Sequence, residues 1–117
     1  MDLEIVRNYC LKKKEVAETF PFGEDTPVYK VAGKMFLLAM MTTPISINIK
    51  CDPEKAVELR EEYEAVTPGY HMSKLHWNTV ILDNSIPDKL IFNWIDDSYR
   101  LVVESLPKKD KKLIIGK

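Results

Sequence analysis

The order of segments in this chain predicts an α+β fold, a two-layer sandwich with an antiparallel sheet covered by helices on one face. Three strand-like segments follow one another closely between Val28 and Lys50. The links between them are far shorter than the crossover of about a dozen residues that parallel strands require. Helical periodicity is confined to the two ends and to one central segment, so strands and helices are grouped instead of strictly alternating.

Residues 2 to 19 read as the first helix, with Asp2 as N-cap and Leu3, Val6, Cys10 and Ala17 recurring along one side. The run Lys12-Lys13-Lys14 then falls mostly on the solvent side. Phe20-Pro21-Phe22-Gly23-Glu24-Asp25-Thr26-Pro27 ends that helix and forms a loop anchored by its two phenylalanines. Val28 to Ala32, Met35 to Met41 and Ile45 to Lys50 are strands, with Gly33-Lys34 as a hairpin turn and Thr42-Thr43-Pro44 as the second break. In the third strand Ile45, Ile47 and Ile49 alternate strictly with Ser46, Asn48 and Lys50, so the sheet should have one wet face.

Asp52-Pro53-Glu54 starts a second helix: the aspartate caps free amides, the proline needs no N–H in the first turn, and the glutamate suits the positive end of the dipole. That helix runs to about Tyr63 or Val66 and is broken by Thr67-Pro68-Gly69. Tyr70 to Asp83 reads as two strands turning near Ser73-Lys74. Ser85 with Asp88 resembles a capping box for a third helix, whose wide apolar stripe runs from Leu90 through Trp94, Ile95 and Val102 to Leu106. Pro107 stops it and a lysine-rich tail, residues 108–117, follows. The predicted order is α-β-β-β-α-β-β-α, with no repeat and no linker, as one domain spanning 1–117.

Composition narrows the function classes. The longest apolar run, Met35 to Met41, is far below the ~20 residues of a membrane span. Met1-Asp2-Leu3-Glu4 lacks the basic-then-apolar pattern of a secretory signal, so the expected setting is the cytoplasm. Cys10 and Cys51 belong to no C-x-x-C unit and read as buried thiols. The net charge of −1 divides unevenly, with five lysines and one aspartate in residues 107–117 and a body at −5. An acidic body argues against a large DNA footprint while leaving room for a local basic patch.

Catalytic patterns are missing. His71 and His76 are the only histidines, and two imidazoles without a third clustered ligand do not make a metal site. No serine or cysteine lies in a nucleophile motif, and glycines 23, 33, 69 and 116 are too scattered for a phosphate loop or a nucleotide cofactor. Asp96-Asp97 and Glu61-Glu62 are adjacent pairs that diverge on a helix and are ordinarily solvated. The expectation is a protein that binds without catalysing, with no cofactor.

Strand periodicity gathers one polar group onto the open face: Lys30, Asn48, Lys50, His76 and Asn78, with Lys34, His71 and Lys74 at neighbouring turns. Cationic and amide donors there would receive an anion, although the same residues also suit the wet side of any sheet. The tail lysines Lys108 and Lys109 could touch phosphates, and the ordinary role of such a run is solvation. Trp77 shares a face with Thr79 and Ile81, for which core packing is the expected role.

The segments FPFGEDTPVYKVAGKMF from Phe20 to Phe36, IKCDPE from Ile49 to Glu54, PGYHMSKLHWNTV from Pro68 to Val80, Ser98-Tyr99 and LPKK from Leu106 to Lys109 resemble, in order, the successive signatures of the YjbR/MmcQ family. Ser73 stands where the family often has asparagine, and Asn84 where glycine is common. The resemblance implies a two-layer fold similar to bacterial frataxin CyaY and to secretion chaperones. It also implies DNA binding, because members share the shape of a double-wing transcription-factor domain, and it brings no catalytic residues. The expected function is therefore a non-enzymatic DNA-binding module, monomeric, using the sheet-face residues and the tail lysines. A protein-interaction or chaperone-like adaptor and a small-anion or metabolite site are the alternatives.

Overall fold

Asp2 begins the structure as the sequence predicts: its carboxylate accepts the Ile5 amide at 2.9 Å and starts α1 (Leu3–Leu11), which buries Val6 and Cys10. The computed structural model describes residues 1–69 and 73–115. The helix ends well short of residue 19. Lys13 turns back onto α1's neighbour, placing Nζ 2.5 Å from the Asp96 carboxylate and over the rings of Tyr9 and Tyr99. Glu15 then takes a left-handed conformation, φ 59°, and the chain reverses into a strand, β1 (Val16–Thr19). Ala17, expected on the core side of a helix, is exposed as a result.

β1 pairs with β2 (Val28–Val31), and β2 with β3 (Lys34–Met40), through a two-residue turn at Ala32-Gly33 with both φ positive, 48° and 84°. That is one residue earlier than the Gly33-Lys34 turn predicted, and it matches the turn geometry that suits the right-handed twist of a hairpin. Tyr29 faces Leu37 while Lys30 faces Met35, so Phe36 is an extra residue that bulges β3. β4 (Ser46–Lys50) follows, then α2 (Pro53–Glu62), capped by Asp52. The sheet is completed by β5 (Val66–Pro68) and β6 (Trp77–Ile81). Strand order is β1-β2-β3-β4-β6-β5, antiparallel throughout.

The last long helix, α3 (Asp88–Glu104), starts without a side-chain cap. Ser85 instead donates its hydroxyl to Asp83 at 2.6 Å, so the predicted capping box is absent. Asn84 occupies the left-handed region, φ 68°, one of the few positions where asparagine substitutes readily for glycine. Residues 108–115 form α4 (Lys108–Ile115), a helix and not a loose tail; it packs against α3 and buries Ile114.

The α+β two-layer architecture is thus as expected, with one strand and one helix more than predicted. Helices α1, α2 and α3 lie on one side of the sheet. The register puts Glu18, Tyr29, Leu37, Ile49 and Asn78 in one row across five strands, and each end of that row contacts a helix. Glu18 meets Arg7 of α1 at 3.0 Å, and Asn78 donates to the Ala56 carbonyl of α2 at 3.2 Å. In the middle, Ser98 of α3 donates to the Phe36 carbonyl at 2.5 Å and accepts the Lys50 amide at 2.8 Å. The bulge and the end of β4 are thereby tied to the helix. Trp94 stacks edge-on against Tyr63, and Phe36 against Tyr99, closing the core beneath.

Candidate functional site

The other side of the sheet carries no helix from the described residues. A second row crosses all six strands there: Thr19, Val28, Leu38, Asn48, Thr79 and Thr67. This face is not the wet one that the β4 alternation predicts: Ser46 and Val28 are buried, and Asn48 at its centre is fully buried and accepts a hydrogen bond from the Thr79 hydroxyl at 2.5 Å, so neighbouring side chains close over the middle of the row. The Asn48 Nδ2 is buried with no hydrogen-bond partner. One step along, Lys50 lies directly opposite Trp77, and both are half-buried on the same face. Lys30 is half-buried on β2 opposite Ala17.

Of the residues expected on this face, Lys30, Asn48 and Lys50 are there. Asn78 is not: it points into the helical layer, 1% exposed, held by Ala56 and by Arg60, whose guanidinium donates to Oδ1 at 3.3 Å. Trp77 and Thr79 occupy the open face instead, so the expected core role of that tryptophan face is reversed. Strand parity misled here because β6 alternates two mixed sets, and a buried, fully bonded asparagine looks identical in sequence to a solvent-facing one.

Lys34 also leaves the group. It pairs with Val31 and directs Nζ to the Ser105 hydroxyl, 3.5 Å away at the end of α3, on the helical side. Lys108 and Lys109 are exposed but stand at the start of α4, in the helical layer. Lys74 and His76 are exposed in the turn before β6, at the rim beside Trp77. Lys74 donates to the Gly69 carbonyl at 3.3 Å. His71 lies outside the described residues. Gly69 itself approaches so closely that an added Cβ would stand 2.8 Å from the Trp77 Cβ, so only glycine lets β5 run on beside that residue.

The loop before β2 differs from expectation as well. Phe20 and Phe22 are 48% and 67% exposed and do not anchor it. The loop is held by main-chain bonds to the end of β3, where the Ala39 amide donates to Pro27 at 2.9 Å and the Met41 amide to Asp25 at 3.2 Å.

Neither thiol is poised for chemistry. Burial pushes Cys10 up to about 12 and raises Cys51 as well, so both stay protonated and unreactive at neutral pH. Among the described residues no three His, Cys, Asp or Glu side chains are placed to hold a metal ion. Two surface clefts of about 430 and 410 Å³ carry Glu62, Glu64 and Asp83 in one and Asp96 and Asp97 with a single cation, Lys55, in the other, so carboxylates outnumber cations in both. No described helix is long and apolar enough to cross a membrane.

Together these features define a two-layer α+β domain with helices on one face of its sheet and, on the other, half-buried lysine and tryptophan side chains around a buried Asn48 and Thr79. The chain belongs to the YjbR family, which it matches over residues 11–101. It is 36% identical over 112 residues to the uncharacterized protein YbdF of Escherichia coli O157:H7, covering 95% of this chain and 92% of that one. Uncharacterized protein YjbR of Escherichia coli K12 is 30% identical over 98% of both chains. Among solved structures, Deinococcus radiodurans protein DR2400, a DUF419 domain, superposes with a TM-score of 0.88 at 35% identity, covering 96% of this chain and 87% of that chain. A Pseudomonas syringae protein superposes with a TM-score of 0.76 at 28% identity over 86% of this chain and 98% of its own.

Proposed function

We propose that this domain is a non-enzymatic binding module that holds DNA against the open face of its sheet. One observation carries this: charge is segregated between the layers. The protein has 18 aspartates and glutamates, yet Glu18 is the only carboxylate in the six described strands. Glu18 faces the helices, where Arg7 and the Tyr29 hydroxyl engage it at 3.0 and 2.8 Å. The charged strand residues on the open face are Lys30 and Lys50, with Lys74 and His76 at the rim. The strands of an acidic body therefore place no carboxylate on that face, which favours the approach of an anionic polymer.

Fluorescence anisotropy with labelled oligonucleotides tests this. Binding in the micromolar range at ~50 mM salt should weaken steeply by ~200 mM. In the double variant Lys30→Glu/Lys50→Glu, affinity should drop and the salt slope should flatten by about 1 for each phosphate that is no longer neutralised. No binding to any oligonucleotide at low salt would overturn it.

The exposed side chains Phe20, Phe22 and Met41, the last 52% exposed, favour a second reading, an adaptor for another protein, because apolar groups cluster near the loop that joins β1 and β2. A purified partner whose affinity falls in Phe20→Ser/Phe22→Ser and not in the lysine variant would establish that reading in place of DNA binding.

A further inference from the structure

We infer that the nucleic acid taken by this face is single-stranded DNA, with a base stacked on Trp77; this rests on the DNA-binding reading above. The first reason is shape. Six strands at about 4.8 Å spacing make a face about 24 Å across, twice the ~12 Å width of the B-form major groove, which admits one helix or a two-stranded ribbon. Such a face cannot enter the groove where duplex sequence is read. A single strand laid across it has its bases free to turn inward.

The second reason is chemistry. Trp77 is half-buried on the open face, and among the described residues no other ring stacks on it, whereas Trp94 is buried against Tyr63. Lys50, directly across the register, supplies the cation for a backbone phosphate next to the stacked base. Asn48 lies diagonal to Trp77 but is fully buried, so its amide belongs to the floor of the face and the contacts to a bound strand fall to Trp77 and Lys50. Ring and cation, facing each other on one strand pair, form the kind of platform that single-strand binders build from aromatic and basic residues.

The test follows tryptophan emission of the full chain during titration with an oligothymidylate of about 12 nucleotides, within the range of known single-strand sites, and with a duplex of equal length. The single strand should quench emission and bind more tightly than the duplex. Trp77→Ala should weaken single-strand binding about 5- to 150-fold, the equivalent of ~1–3 kcal/mol for one stacked base. Trp77→Phe keeps a ring and should retain most of the affinity while abolishing the quench, and its remaining Trp94 emission reports an intact fold. Duplex binding as tight as single-strand binding, with lysine-dependent affinity and unchanged emission, would overturn the inference and leave DNA binding standing. Failure to bind either form would overturn both.

Discussion

Replacing Ser98 with alanine should destabilise the protein more than its small size suggests. The Ser98 hydroxyl is fully buried and satisfies two main-chain groups at once, the carbonyl of Phe36 at 2.5 Å and the amide of Lys50 at 2.8 Å. Alanine keeps the helix but strands both. A buried main-chain group without a partner costs about 1–3 kcal/mol. The Phe36 carbonyl sits in a buried bond and the Lys50 amide in a part-buried one, so about 2 and about 1 kcal/mol are fair shares, roughly 3 kcal/mol together. Against a total of about 5–15 kcal/mol that is a large fraction. With a urea m-value of about 2 kcal/mol/M, the unfolding midpoint should fall by about 1.5 M at unchanged m. Ser105→Ala, which removes an exposed hydroxyl bonded to Val102 at 2.7 Å, is the control and should stay within about 0.5 kcal/mol. A midpoint shift below about 0.3 M for Ser98→Ala would refute the claim that this hydroxyl joins α3 to the bulge and to Lys50.

Gly69→Ala should cost about 1–3 kcal/mol, because the new Cβ meets the Trp77 Cβ at 2.8 Å and its carbonyl oxygen at 2.9 Å; thermal unfolding and the near-ultraviolet signal of Trp77 report it, and an unchanged spectrum would count against the close approach. Cys10 and Cys51 are buried, with Cys10 pushed up to about 12, so a thiol reagent should label neither in the native protein and both after unfolding. At high pH the folded state should weaken. Burial and the hydrogen bond to Asp96 raise Tyr9 from 10.0 to about 12, favouring its neutral phenol in the fold. Its contribution is full below pH 10 and lost as pH climbs toward about 12, so chemical denaturation over that window should show a loss of stability that is shallower in Tyr9→Phe.

The sequence was sufficient wherever a signal is local. Asp2 and Asp52 cap helices because a short carboxylate followed by free amides needs nothing distant. The alternation of Ile47 and Ile49 with Ser46, Asn48 and Lys50 sorted β4 onto two faces correctly, although Ser46 and Asn48 are buried and not solvated as that alternation implies. Those patterns, with the short connections, were enough for the two-layer fold and for part of the open face.

What distant partners decide was beyond reach. Val16 to Thr19 carries a weak helical pattern, and it became a strand only because Lys13 is drawn to Asp96, 83 residues away, and because Tyr29 and Val31 offer an edge. Asn78 and Trp77 exchange their expected faces since Ala56 and Arg60 satisfy a buried amide that composition alone would leave to water. Lys34 is turned to the helical side by the extra residue at Phe36, which no periodicity announces. Periodicity describes a residue's neighbours along the chain, whereas burial of a polar group depends on partners supplied by other elements, and only the folded arrangement brings those together.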